Sequence, residues 1–141
     1  MFLDASYVAK YYVNEPDSPG VRRLIRGADS LVASAWSVVE VASAIRRHLR
    51  EGRLNAKQFQ ATLRAFHDDI DAGIWTLIPL NEELIRRASS LMEALPGEVF
   101  LRAGDAIQLA SSVAAGEHEI WSNDRHLLAA APHCGLAGRS G

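Results

Sequence analysis

Short apolar segments alternate along the chain with longer segments in which apolar residues recur every three or four positions. The short segments have the character of buried strands, and the longer spacing is that of one helix face. The pattern predicts strands at residues 1–4, 30–34, 74–80 and 119–122. It predicts helices at residues 6–13, 21–26, 36–50, 55–72, 82–95, 106–115 and 125–131.

The predicted helix at residues 36–50 illustrates the helical spacing. Gly52 follows it, as Gly73 follows the next predicted helix, and glycine commonly ends helices. The apolar residues on its buried face are Val38, Ala42, Ile45 and Leu49.

Strands that alternate with helices indicate an α/β domain with a mostly parallel sheet. In such sheets, ligands bind in the crevice at the carboxyl ends of the strands. Side chains that directly follow a predicted strand are therefore the first candidates for a functional site.

Four acidic residues adjoin or interrupt apolar segments, where a charged side chain is unexpected: Asp4, Glu40, Asp105 and Asp124. Asp4 and Asp124 each follow a predicted strand, and Glu40 lies in the first or second turn of the helix after the second strand. A parallel sheet places these three at the same edge. Asp105 begins a predicted helix that no clear strand precedes. If the fold gathers all four, their mutual repulsion requires protonation or a neutralising cation.

Each of these acids also has a purely structural interpretation. Asp4, Asp105 and Asp124 could be helix N-caps, a position that favours aspartate. Ser37 and Glu40 have the spacing of a capping box, in which the glutamate bonds back to the serine amide. The functional interpretation has the advantage that one cause explains all four.

Composition narrows the class of protein. The 141 residues suit one domain, with 48% hydrophobic and 23% charged residues as in ordinary globular proteins. A single cysteine, Cys134, excludes an intrachain disulfide. No apolar run reaches the length of a membrane span, and no basic leader precedes Met1, so we expect a cytoplasmic protein with no membrane partner.

Charge gives no overall attraction to nucleic acid, since the net charge is −2. Arginines nevertheless cluster within predicted helices, which permits a local basic face as well as an ordinary solvated surface. The cluster that follows Glu40 contains Arg46, Arg47 and Arg50.

The sequence lacks the motifs of several common metal-binding, nucleotide-binding and hydrolytic sites. The five histidines show no HExxH spacing, and one cysteine cannot form a zinc finger. The sequence contains no GxxxxGK[ST] loop, no GxGxxG motif and no GxSxG nucleophile elbow.

Four segments resemble the motifs of the PIN-domain superfamily, and within it the VapC-type toxins of toxin–antitoxin pairs. They occur in the family's order and cover nearly the whole chain. The segments are Leu3-Asp4-Ala5-Ser6-Tyr7-Val8-Ala9-Lys10, Ser37-Val38-Val39-Glu40-Val41-Ala42, Leu101-Arg102-Ala103-Gly104-Asp105-Ala106-Ile107 and Ser122-Asn123-Asp124-Arg125-His126-Leu127.

The resemblance implies a three-layer α/β/α fold around a mostly parallel sheet of four to five strands. It implies a single PIN domain at residues 1–137, and we expect residues 138–141 to fray. Carried over by motif, the catalytic and metal-binding acids are Asp4, Glu40, Asp105 and Asp124, supported by the hydroxyls of Ser6 and Ser122. Arg46, Arg47 and Arg50 are candidates for binding the RNA backbone.

The activity implied is that of an endoribonuclease that depends on Mg²⁺ or Mn²⁺, ions that prefer oxygen ligands. The resemblance also implies a VapB-like antitoxin partner and a homodimer or a heteromeric toxin–antitoxin complex. Two alternatives remain: a PIN-like RNA-binding module without catalysis, and a Mg²⁺-dependent phosphatase-type α/β enzyme. Phosphatases of the haloacid-dehalogenase type have a second aspartate two residues after the first, where this chain has Ser6.

Overall fold

A computed structural model describes all residues, 1–141, and contains one sheet of five parallel strands. The strands are β1 (Phe2–Leu3), β2 (Leu31–Ser34), β3 (Trp75–Ile78), β4 (Glu119–Trp121) and β5 (Ala137–Arg139). Their order across the sheet is β3-β2-β1-β4-β5, and every neighbouring pair is parallel. The predicted parallel α/β architecture is confirmed.

Seven helices connect and cover the strands. They are α1 (Ala5–Tyr12), α2 (Ser18–Arg26), α3 (Ser37–Arg50), α4 (Ala56–Asp71), α5 (Glu82–Ala94), α6 (Ala103–Ala114) and α7 (Arg125–Ala130), with a 3₁₀ turn at Ala131–Cys134. None of these helices is both long enough and apolar enough to span a membrane.

Helix ends explain most of the small differences from the predicted boundaries. Asn55 and Gln58 form a reciprocal capping box that starts α4 where expected. By contrast, α6 begins at Ala103, three residues before the predicted start, and its N-cap Arg102 makes no side-chain capping bond. The sequence offered Asp105 as a candidate cap, but this residue lies inside the first turn of α6, where the helix dipole stabilises a carboxylate.

The sheet separates two hydrophobic cores, which makes the fold three-layered. Successive residues of a strand point to opposite faces, so Phe2 belongs to one core and Leu3 to the other. On the Leu3 side, Ile45 and Phe66 pack from α3 and α4. On the Phe2 side, Leu109 and other residues pack from α5, α6 and α7.

The central strands fix which loops meet at the carboxyl edge. β1 lies between β2 and β4, with Leu3 opposite Trp121. The Asp4 amide continues this ladder by donating to the Trp121 carbonyl at 3.0 Å. The residues that follow β1 and β4 therefore emerge side by side.

The expectation that residues 138–141 fray is wrong for the first part of this segment. Residues Ala137–Arg139 form β5, and the Ser122 amide donates to the Arg139 carbonyl at 2.9 Å. The Gly141 amide donates to the Tyr7 hydroxyl at 2.7 Å. The sequence concealed this strand because its central residue is glycine, which has no side chain to contribute to an apolar pattern.

Gly138 is required by close packing against α7. A Cβ added there would lie 2.9 Å from Leu128 Cδ2 and 3.3 Å from the Leu128 carbonyl oxygen. We expect Gly138→Val to lower the free energy of unfolding by about 1–3 kcal/mol through overpacking, measured by urea denaturation. Gly97→Val is the matched control, because a Cβ at Gly97 meets no atom within 4 Å. Equal stability of the two variants would mean that β5 is not packed as described.

Candidate metal site

Asp4 lies at the carboxyl end of β1 and is 5% exposed. Its Oδ1 accepts hydrogen bonds from the Tyr7 amide at 3.0 Å and the Ser6 hydroxyl at 2.7 Å. Its Oδ2 accepts one from the Ser122 hydroxyl at 2.5 Å. Asp4 therefore caps α1, as the structural interpretation held, and is also held from the neighbouring strand.

Ser122 connects Asp4 to Asp124. While its hydroxyl donates to Asp4, its oxygen accepts from the Asp124 amide at 2.9 Å. Asp124 caps α7, and its Oδ1 accepts from the amides of His126 at 2.8 Å and Leu127 at 3.1 Å. Both capping bonds use the same oxygen, which leaves Oδ2 of Asp124 for another ligand.

Glu40 is held from the opposite layer of the site. Its Oε1 accepts from the Gln108 side-chain amide at 2.9 Å, and that amide also donates to the Ser37 hydroxyl at 3.0 Å. The capping-box interpretation of Ser37 and Glu40 is therefore wrong. The N-cap of α3 is Trp36, Ser37 is already helical, and Glu40 bonds across to α6 instead of back to α3.

Asp105 has the least structural support of the four acids. Its interpretation as an N-cap is wrong, because Arg102 occupies that position of α6. Its Oδ2 is buried and has no hydrogen-bond partner. A buried carboxylate oxygen without a donor is costly, which makes this atom a candidate ligand for a cation.

The electrostatics show that the four carboxylates share one field. Burial raises the pKa of Asp4, and the nearby Asp124 carboxylate raises this pKa further, against the lowering effect of its hydrogen bonds. Burial also raises the pKa of Glu40, with repulsion from Asp4 and Asp105. The pKa of Asp105 is raised by burial and by the charges of Asp124 and Asp4. The fold thus gathers all four predicted acids, Asp105 included.

A hydrated divalent cation fits this set of donors. No group of three or more His, Cys, Asp or Glu side chains is arranged to hold a metal ion directly. However, Mg²⁺ keeps several waters and is usually bound through only one or two carboxylates. The donors are all oxygens, and Asp105, Asp124 and Glu40 each have a carboxylate oxygen without a protein partner. Asp105 and Asp124 are the residues that would bind directly.

The predicted arginines lie outside this cluster. Arg46, Arg47 and Arg50 are exposed on α3, between six and ten residues beyond Glu40, which is roughly 9–15 Å along the helix axis. Arg47 bonds to Glu51 at 3.2 Å. The guanidinium that acts on the cluster is that of Arg102, whose charge lowers the pKa of Asp105 against the dominant effect of burial.

Three site residues were not found by sequence reasoning. Gln108 is a buried polar residue in an apolar segment three positions after Asp105, so the helical spacing puts it near Asp105 on the same face. That spacing was an available signal. Trp36 and Gly104 gave no signal in the sequence. They belong to the site because a Cβ at Gly104 would lie 3.3 Å from Trp36 Nε1 and 3.7 Å from Glu40 Oε2.

The raised pKa values predict an unusual dependence of stability on pH. The folded, metal-free protein binds protons at Asp4, Glu40 and Asp105 more tightly than the unfolded chain does. Its free energy of unfolding should therefore rise as pH falls from 7 through the raised pKa values toward about 4.5. Asp17 and Glu51 have lowered pKa values and oppose this trend only below their ordinary values of 3.8 and 4.5.

Urea denaturation in EDTA at pH 7, 6 and 5 measures this dependence. Asp105→Asn removes one repelling carboxylate and should flatten it, and Mg²⁺ added at pH 7 should stabilise the wild type. A wild-type stability that falls steadily between pH 7 and pH 5 would contradict the proposed charge cluster.

The Gln108 bond to Glu40 gives a second prediction. This bond lowers the pKa of Glu40, so Gln108→Leu should raise that pKa further, since the carboxylate loses its donor. Carbon-13 NMR titration of the Glu40 carboxyl measures the change. Gln60→Leu, an exposed glutamine on α4, is the control. An unchanged Glu40 titration in Gln108→Leu would show that the bond does not form in solution.

Comparisons with known proteins agree with the predicted family. The model of the PIN domain matches residues 1–132. The fold is similar to that of VapC20 from Mycobacterium tuberculosis, a sarcin–ricin loop cleaving toxin, with a TM-score of 0.72, 17% identity, and coverage of 92% of this chain and 93% of that one.

Two further structures are also similar in fold. FitAcB from Neisseria gonorrhoeae has a TM-score of 0.68 and 16% identity, over 97% of this chain and 94% of that one. VapBC2 from Rickettsia felis, bound to a DNA fragment from its promoter, has a TM-score of 0.66 and 14% identity, over 99% and 97%. No curated protein matches the sequence. The family match covers most of the chain, so this protein belongs to the PIN domain family.

Proposed function

We propose that this protein is a divalent-metal-dependent endoribonuclease and the toxin of a toxin–antitoxin pair. One observation carries the proposal: Asp4, Glu40, Asp105 and Asp124 converge at the carboxyl edge of a parallel sheet, where burial and neighbouring carboxylates raise the pKa values of the first three. Such a cluster destabilises the metal-free fold and suits a hydrated Mg²⁺ or Mn²⁺ ion.

The residues divide into two roles in this proposal. Asp105, Asp124 and Glu40 each present an oxygen that no protein group occupies, and we assign Asp105 and Asp124 as the direct ligands. Asp4 is held in place by three donors, and its carboxylate adds negative charge beside them. Ser6 and Ser122 fix the rotamer of Asp4, and Ser122 also fixes the position of Asp124.

Glu40 is the candidate for handling the proton of the attacking water. In hydrolysis, the water oxygen bonds to phosphorus, the bond from phosphorus to the leaving oxygen breaks, and the leaving oxygen takes up a proton. A bound Mg²⁺ or Mn²⁺ supplies charge neutralisation and makes water more acidic. Burial raises the pKa of Glu40, which brings this carboxylate closer to the pKa suited to a general base at neutral pH.

RNA as the substrate is supported by the fold neighbours. VapC20 is described as cleaving the sarcin–ricin loop, but it shares only 17% identity with this chain. We extend to this protein only the class of substrate, an RNA strand. Arg46, Arg47 and Arg50 remain candidates for distant contacts to the RNA backbone, since exposed arginines bind phosphates.

The proposed partner is a VapB-like antitoxin, and we propose a homodimer or a toxin–antitoxin heteromer as the assembly. VapBC2 of Rickettsia felis and FitAB were solved bound to DNA. The proposed site of action is the cytoplasm.

The two alternatives explain the geometry less well. Asp4 and Asp124 do cap helices, as a binding module without catalysis would require, but Glu40 and Asp105 cap nothing. For the phosphatase alternative, Ser6 occupies the place of the second aspartate and donates its hydroxyl hydrogen to Asp4. A serine hydroxyl is too weak an acid to replace that carboxyl as a proton donor.

The test is cleavage of a structured RNA by the purified protein. We expect cleavage with Mg²⁺ or Mn²⁺ and none in EDTA. Asp4→Asn should reduce the rate by at least about 100-fold, because losing this negative charge weakens cation binding at Asp105 and Asp124, and the stabilisation that a bound cation supplies is worth several kcal/mol. Asp71→Asn is the matched control, an exposed aspartate at the end of α4 and the opposite edge of the sheet.

Two results would overturn the proposal. One is cleavage that Asp4→Asn leaves undiminished, which would indicate a contaminating nuclease. The other is a folded wild-type protein that binds neither Mg²⁺ nor Mn²⁺ in calorimetry, which would favour the binding module.

A further inference from the structure

We propose that Phe100, Arg102 and His126 form a platform on which an unpaired RNA base stacks beside the acidic site. This inference rests on the proposed function, and it adds a base-binding position to it. The rings of Phe100 and His126 lie 4.6 Å apart at 65°. The Arg102 guanidinium lies 6.0 Å from the centre of the Phe100 ring.

The platform is adjacent to the candidate metal ligands on both sides. Arg102 is the N-cap of α6, and Asp105 lies in the first turn of that helix. His126 is in the first turn of α7, and its amide donates to Asp124. A base held here would therefore lie beside the helix starts that carry Asp105 and Asp124.

The exposed ring of Phe100 and its two neighbours indicate a binding position for a base. Its side chain is 55% exposed, the largest value among the exposed large hydrophobic residues. A single exposed apolar residue is common and by itself indicates nothing. Here, however, the exposed ring is accompanied by an imidazole and a guanidinium, the three types of group on which unpaired bases stack.

The guanidinium and the two rings together favour nucleic acid over an apolar peptide as the occupant. Arg102 contributes a positive charge at the edge of an otherwise acidic site, where a phosphate must approach a cluster of carboxylates. Its guanidinium can lie against a base and bond a phosphate oxygen at the same time. An apolar peptide would gain little from either the imidazole or the guanidinium.

The test compares two probes that share a backbone and differ in bases. One is a fluorescein-labelled RNA dodecamer of adenylate, and the other is the same dodecamer without bases. Anisotropy titrations in EDTA prevent metal-dependent hydrolysis. We expect the wild type to bind oligoadenylate about 5- to 150-fold more tightly than the abasic strand, the ratio that corresponds to stacking of one base.

Variants of the platform separate stacking from other effects. Phe100→Ala should bring the ratio of the two affinities toward one, and Phe100→Trp should preserve it. Ile74→Ala, which removes a 51% exposed side chain just before β3 at the opposite edge of the sheet, should leave it unchanged. Circular dichroism verifies that each variant is folded.

A wild type with no preference for oligoadenylate would overturn the inference, and so would an unchanged ratio in Phe100→Ala. The binding assay requires neither metal nor cleavage, so its failure is separate from failure of the proposed function. A protein that stacks oligoadenylate on Phe100 but cleaves no RNA would overturn the nuclease proposal and leave the base-binding platform supported.

Discussion

The hydrogen bond from the Ser122 hydroxyl to the Asp4 carboxylate joins the ends of β1 and β4, and the arrangement of the candidate site depends on it. A hydroxyl has a single hydrogen, so donating it to Asp4 leaves the serine oxygen free to accept the Asp124 amide. One side chain thereby fixes the relative positions of two acids 120 residues apart in sequence. The bond is buried, and the low local dielectric strengthens it.

The other two acids are positioned by a contact between helices on the two sides of the sheet. Gln108 on α6 holds Glu40 on α3, and both of its donor bonds cross between these helices. The sheet supplies the rigidity that opposes repulsion among the carboxylates, because two hydrophobic cores clamp it on its faces. The site can thus keep a concentration of negative charge that a more flexible loop cluster would relax by moving apart.

Local patterns were sufficient to predict the fold and much of the site, and long-range contacts account for what they missed. Four of the five strands follow from apolar segments, and the place of Asp4 and Asp124 follows from a strand end beside a helix start. Strand β5 was missed because Gly138 leaves no hydrophobic signal, although its packing on Leu128 is tight. The place of Asp105 depends on how α6 crosses the sheet, which no short segment of sequence encodes.

This difference bears on which residues give the strongest evidence of function. Asp4 and Asp124 cap helices, so the fold alone would favour an acid at both positions. Glu40 and Asp105 lie in the first turns of their helices but cap neither: burial and neighbouring charges raise their pKa values, and Asp105 Oδ2 lacks any partner. An uncharged residue at position 105 would relieve that cost. Asp105 is the acid that sequence patterns explained least, and its carboxylate contributes least to the stability of the fold. It is therefore the strongest support for a cation in this site.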